Sequence, residues 1–179
     1  NKGITSVVLP NTITSISNYA FGYNSIPSIS IPNSVTSIGN SAFQSNQLTS
    51  LTLPDSVTSI GSSVFSSNPL TSITLSNSLT SIPSNAFQSN SLTSLTLPSS
   101  ITSIGSYAFY QNNITSVLIP DSVTTIGGNA FEYNKISALT LPSSVTSIGY
   151  RAFYYQSGGV GTVYGPASGY VFDLSLIHI

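Results

Sequence analysis

Phenylalanine recurs at positions 21, 43, 65, 87, 109, 131 and 153, a step of 22 residues without one slip. Ile16, Ile38, Ile60, Ile82, Ile104, Ile126 and Ile148 keep the same step. So do Pro10, Pro32, Pro54, Pro98, Pro120 and Pro142, with Ser76 standing in once. Self-similarity at such a period marks a stacked architecture, in which each unit buries its apolar side against its neighbours. Seven copies run from Ile4 to Ser157. The sequence thus predicts a mainly β repeat solenoid of seven coils over residues 1–157. Each coil should hold a short strand, a second extended segment and a helical or 3₁₀ turn.

The third copy, residues 48–69, shows the logic. Leu51-Thr52-Leu53 alternates as a strand does, with both leucines inward and Ser50 and Thr52 outward. Pro54 ends that strand at a corner, where its missing N–H costs least. Val57 and Ile60 turn inward from the second segment, and Thr58 and Ser59 face water. After Gly61, the stretch Ser62-Ser63-Val64-Phe65 predicts one helical or 3₁₀ turn that drops Phe65 into the core. The glycine column holds Pro83 in the fourth copy, so this corner does not require positive φ; glycine serves tightness or helix entry. The late asparagines Asn24, Asn46, Asn68, Asn90, Asn112 and Asn134 predict stacked amides that bond the backbone of the next coil.

Composition narrows the function. Lys and Arg number 3 and Asp and Glu 4, a net charge of −1, so no basic surface exists for nucleic acid or an anionic membrane. Serine (38) and threonine (19) supply the polar surface instead, while 40% apolar residues is too many for a disordered tract. Cysteine is absent, which excludes a disulfide scaffold. No apolar run reaches the roughly 20 residues of a membrane span, so no membrane insertion is expected.

Catalytic chemistry has little to work with. The one histidine, His178, lies in the last six residues, and serine without a positioned base is no nucleophile. Asp55 and Asp121 share a column three coils apart, about 14 Å by strand spacing, beyond the roughly 5–9.5 Å of paired-carboxylate hydrolysis. They read as turn residues bonding their own backbone. Glu132 and Lys135 read as a surface pair. No column is acidic enough for calcium. No enzyme activity and no cofactor are expected.

The frame Leu92-x-x-Leu95-x-Leu97-Pro98, followed by Ile101-Thr-Ser-Ile104-Gly105 and Ala108-Phe109, resembles the BspA-like subclass of leucine-rich repeats. The resemblance spans residues 4–157. It departs from the general consensus in holding Ser34, Ser56, Ser78, Ser100, Ser122 and Ser144, with Thr12, where Asn or Cys is usual, and in copies one residue shorter than the commoner length. It implies a surface or secreted protein used in adhesion and protein binding, hence an extracellular or cell-surface location. Residues 162–170 resemble the opening of the family's closing unit, so 158–173 reads as a truncated closing unit. Residues 174–179 read as a translated adapter sequence foreign to the gene. With no initiator Met, Asn1 is not the expected natural start, and the chain is expected to be a fragment of a longer protein.

Two surfaces are candidates for contact. Tyr107, Tyr110, Tyr133, Tyr150, Tyr154 and Tyr155 cluster on the turn side of the last three coils, and such rigid amphipathic rings suit a protein or glycan ligand. The strand face presents ranks of hydroxyls, Ser50 with Thr52, Ser72 with Thr74, and Ser94 with Thr96, suited to a partner, a glycan or ice. The leading expectation is a non-catalytic interaction or adhesion module. The alternatives are a structural spacer, an ice- or glycan-binding face, or a non-catalytic part of a larger enzyme. Unpaired strand edges at both ends predict end-to-end self-association.

Overall fold

A computed structural model describes residues 3–157 and 163–164. The 22-residue period becomes a stack of parallel coils. Thirteen short strands fall into two series, which alternate from the third copy onward. One comprises β1 (Ser15–Ile16), β2 (Ser37–Ile38), β4 (Ser59–Ile60), β6 (Ser81–Ile82), β8 (Ser103–Ile104), β10 (Thr125–Ile126) and β12 (Ser147–Ile148). The other comprises β3 (Ser50–Thr52), β5 (Ser72–Thr74), β7 (Leu95–Thr96), β9 (Val117–Leu118), β11 (Leu139–Thr140) and β13 (Val163–Tyr164). Pairing within β1–β12 is in register at 22, as in Ser15↔Ser37 and Leu51↔Ile73. β13 pairs with β11 at 24. The rest of 158–173, expected as a truncated closing unit, and 174–179 lie outside the described residues.

The inward positions read from the third copy are all buried: Leu48, Leu51, Leu53, Val57, Ile60, Val64 and Phe65. The seven phenylalanine rings stack face to face, with successive centroids 5.2–5.7 Å apart and planes within 19°. Five of the rings, Phe43 to Phe131, are wholly inaccessible. The first coil is less covered, with Ile4, Val7, Leu9, Ile13 and Phe21 only partly buried and Val8 90% exposed.

The expected helical or 3₁₀ turn does not form. No helix occurs among the described residues. In its place each coil makes two successive turns, closed in the second copy by Ala42 N–H to Gly39 O and Gln44 N–H to Ser41 O. Ser41 and Ser45 adopt left-handed backbone (φ 53° and 52°), and the same two columns are left-handed in all seven copies. Alternating handedness aligns alternate peptides along the stack. Ser41, Phe43 and Ser45 therefore donate their N–H groups to Ser62, Val64 and Ser66 of the following coil. A helical turn would have kept those donors within the coil. Bonds of the second segment run the other way, as from Thr58 N–H to Thr36 O. Neighbouring coils are thus tied in both directions.

The asparagine ladder forms, but it reaches the preceding coil rather than the next. Asn68 Nδ2 donates to Phe43 O of the preceding coil at 3.0 Å and to Phe65 O of its own at 3.1 Å. Its Oδ1 accepts from the N–H of Leu48, the first residue of its own copy, at 3.1 Å. Gln156 fills the seventh place, spanning Phe131 O and Ile136 N–H, which the asparagine pattern alone did not reveal. Asp55 likewise bonds across coils, accepting from Asn77 N–H at 2.8 Å rather than turning on its own backbone.

The glycine column is chosen for closeness, as Pro83 implied. None of Gly39, Gly61, Gly105, Gly127 or Gly149 has positive φ. A Cβ on Gly105 would sit 2.6 Å from Ser84 N, backbone that cannot step aside. Each of these glycines also donates its N–H to the isoleucine carbonyl of the preceding coil, as Gly61 does to Ile38 at 2.8 Å. Pro83 has a Cβ and no N–H, and the strand series breaks there: β4 pairs with β2, β6 with β8, but β4 and β6 do not pair. In thermal or urea unfolding, Gly105→Ala is expected to cost about 1–3 kcal/mol through overpacking. Pro83→Ala, at a corner already opened, should shift stability far less. Asn68→Ala strands the buried Leu48 N–H, while Phe43 O and Phe65 O keep Asn46 and Asn90 as donors, and is expected to cost about 1–3 kcal/mol by the same measurement.

Candidate functional site

The turn side of the last three coils is built by the columns that follow the glycine. Their inward members, Ala108 with Phe109 and Ala130 with Phe131, are fully buried, which leaves the flanking positions outside. Tyr107, Tyr133 and Tyr155 stand on left-handed backbone (φ 59°, 56° and 57°) and are exposed. Tyr110 and Tyr154 lie half-buried beside them, and Tyr150 is 59% exposed.

These six rings, dispersed over 49 residues of sequence, form one continuous surface in the fold. Tyr107 meets Tyr110 edge to face at 5.3 Å, and Tyr110 meets Tyr133 in the same manner at 5.5 Å. Tyr133 contacts Tyr155 at 4.8 Å, and Tyr155 contacts Tyr154 at 6.1 Å. Arg151 joins the sixth ring to the rest, its guanidinium carbon 4.7 Å from the Tyr154 centroid and 5.0 Å from that of Tyr150. Edge-to-face rings of this kind contribute about 0.5–1.5 kcal/mol each beyond area burial, so the surface is held before any partner arrives. Tyr19 and Tyr23 occupy the same columns in the first coil, with serine, asparagine and glutamine in the copies between.

One member of this surface was not singled out from the sequence, and one acid beside it is placed otherwise than expected. Arg151 shares a column with Tyr107, a signal visible once the copies are aligned. Glu132 is not the surface partner of Lys135. Its side chain is 4% exposed, and Oε2 accepts from Asn129 Nδ2, as Gln88 does from Asn85 two coils earlier. The column, rather than the neighbouring charge, dictates where that carboxylate goes.

Burial, and then the charge of Glu132 with smaller effects of Tyr133 and Tyr107, hold the Tyr110 phenol above the usual tyrosine range. The folded state therefore keeps this proton more tightly than the unfolded chain. The resulting stabilisation is complete below the ordinary tyrosine value of about 10 and is lost as pH rises through the raised one. Phenolate absorbance should show the Tyr110 phenol titrating late, and Glu132→Gln should lower its midpoint.

The strand-side candidates are in place as ranks. Ser50 and Thr52 of β3 pair in register with Ser72 and Thr74 of β5, and Thr96 lies in β7 with Ser94 just before it. All six side chains are exposed. Leu118, 77% exposed, interrupts the outer rank. A longer rank runs along the second segment, where Thr14, Thr36, Thr58, Thr80, Thr102, Thr124 and Thr146 are all exposed. Several donate Oγ1 to the threonine carbonyl one coil back, as Thr102 does to Thr80 at 3.0 Å. The hollows along these faces are shallow; one of about 320 Å³ lies against Ser50 and Thr52.

Among the described residues no group of His, Cys, Asp and Glu could hold a metal ion, and no helix is long and apolar enough to cross a membrane. The sequence matches the family model of the BspA type leucine rich repeat region, in six copies over residues 1–112 and 37–160. No curated protein matches it. Among solved structures, a leucine-rich repeat protein from Bacteroides ovatus is similar at 24% identity and a TM-score of 0.74, covering 88% of this chain and 44% of its own. One from Eubacterium ventriosum has 23% identity and a TM-score of 0.65, covering 93% and 44%. A leucine rich cell surface protein from Faecalibacterium prausnitzii has 23% identity and a TM-score of 0.52, covering 90% and 60%. At these identities the likeness is one of fold. The chain spans less than half the length of the first two.

Proposed function

Because the chain belongs to the BspA-type leucine-rich repeat family, we propose that it is a non-catalytic recognition module of a cell-surface or secreted protein, and that the tyrosine surface is what it offers a partner. The observation that carries this reading is the continuity of the six rings with Arg151 along one side of the last three coils. Tyrosine and arginine are the residue types that dominate binding energy when they cluster. Their cost of ordering is low here, since the rings already brace one another.

A surface location is supported by the family and by the cell-surface description of the Faecalibacterium prausnitzii protein. In such a protein the solenoid is the rigid support, and the exposed columns carry specificity.

The spacer reading differs in one measurable respect. Tyr110, Tyr133 and Tyr154 changed together to serine should leave the far-ultraviolet spectrum and the phenylalanine core intact, while attachment to host cells or matrix proteins falls at least about tenfold. A spacer loses nothing. Attachment unchanged in the triple variant would overturn the assignment of this surface.

A further inference from the structure

Only two cations, Lys135 and Arg151, occur among the described residues, and Arg151 sits within the tyrosine surface. Its guanidinium lies against two rings, 5.0 Å from the Tyr150 centroid and 4.7 Å from the Tyr154 centroid. No described carboxylate forms an ion pair with it. Glu132, the one acid of this surface, is turned inward to Asn129. An arginine stacked on aromatic faces keeps its in-plane N–H donors along the edge, in a fork that matches a carboxylate.

We propose that Tyr150, Arg151 and Tyr154 form the acid-reading end of a glycan-binding surface, whose ligand is an oligosaccharide carrying one carboxylate-bearing sugar. This rests on the tyrosine surface being the contact surface. Three observations select that chemistry. First, Arg151 is the one cation set against these rings, and the Glu132 carboxylate beside them is buried, an arrangement that fits a single carboxylate on the ligand. Polyanions such as nucleic acid or a strongly acidic peptide call for several cations. Second, the columns that hold these rings hold neutral hydrogen-bonding side chains in neighbouring positions, Ser89, Gln111 and Asn129. A pyranose pairs the same two chemistries, with a C–H face and a hydroxyl rim. Third, the columns advance by one coil, about 5 Å, the scale of one sugar ring in a chain. Tyr107, Tyr110, Tyr133 and Tyr155 then provide successive contacts along the oligosaccharide, and Arg151 fixes its polarity.

The test uses the full chain, with 3′-sialyllactose and a glucuronate-terminated trisaccharide as probes, their neutral parents lactose and cellobiose as controls, and an aspartate-containing heptapeptide as the competing class. Titration calorimetry or ligand-observed NMR reads affinity. The expected result is about a tenfold or greater preference for at least one acidic sugar over its neutral parent, weakening as salt rises. Arg151→Gln should abolish the preference yet leave the neutral parent binding weakly, and Tyr150→Ser with Tyr154→Ser should weaken both. Arg151→Asn, which tolerates left-handed backbone, repeats the measurement should the glutamine variant prove unstable in a thermal melt. No acidic preference, an unchanged preference in the Arg151 variants, or binding of the peptide alone would overturn the proposal. The tyrosine surface would still stand as a contact site if the Tyr110, Tyr133 and Tyr154 variant loses attachment while Arg151→Gln does not.

Discussion

A coil of 22 residues has too small an interior to support itself, so everything rests on how one coil is joined to the next. The joint is a buried side-chain amide. From Asn46 to Asn134, each asparagine of the ladder takes a carbonyl of the coil before it, caps a carbonyl of its own, and accepts the N–H of the residue twenty positions back. Buried backbone groups at the tightest corner would otherwise be stranded, at about 1–3 kcal/mol apiece. The stacked phenylalanine rings lie directly inside that corner, within van der Waals reach of one another. Amide and ring together set the register that the strands then follow.

The joint also explains where the fold bends its own rules. Left-handed backbone on serine, tyrosine and arginine is unfavourable by about 1–2 kcal/mol per residue, yet it recurs at two columns in each copy. What it secures is three peptide N–H groups per copy aimed along the stack. The glycine column answers a different demand, since there the backbones meet too closely for any Cβ. Pro83 shows the consequence of breaking that demand once: the strand series divides, while the core columns Leu79, Ile82 and Phe87 stay buried on the far side of the break.

A recognition surface on such a scaffold inherits its spacing from the coil. Residues in one column stand one coil apart whatever their identity, so a few substitutions from serine to tyrosine turn a neutral flank into an aromatic one. The chain uses this in the last three coils and leaves the middle ones polar. The same logic draws Arg151 into the tyrosine surface, since it shares a column with Tyr107 and is flanked by Tyr150 and Tyr154.

Period, core columns, strand positions and the grouping of the six tyrosines on one side were all legible in the sequence. They depend only on which residue type recurs every 22 positions, and a linear pattern states that completely. The turn conformation, the direction of the asparagine bonds, the inward turn of Glu132 and the partners of Arg151 were decided by the tertiary structure. Each depends on which neighbour offers a donor, an acceptor or a ring at a given height in the stack. Helix or paired turn was an open choice for Ser62-Ser63-Val64-Phe65 taken alone; the carbonyls of the coils on either side closed it, because N–H groups spent within a helical turn could not also tie the coils together.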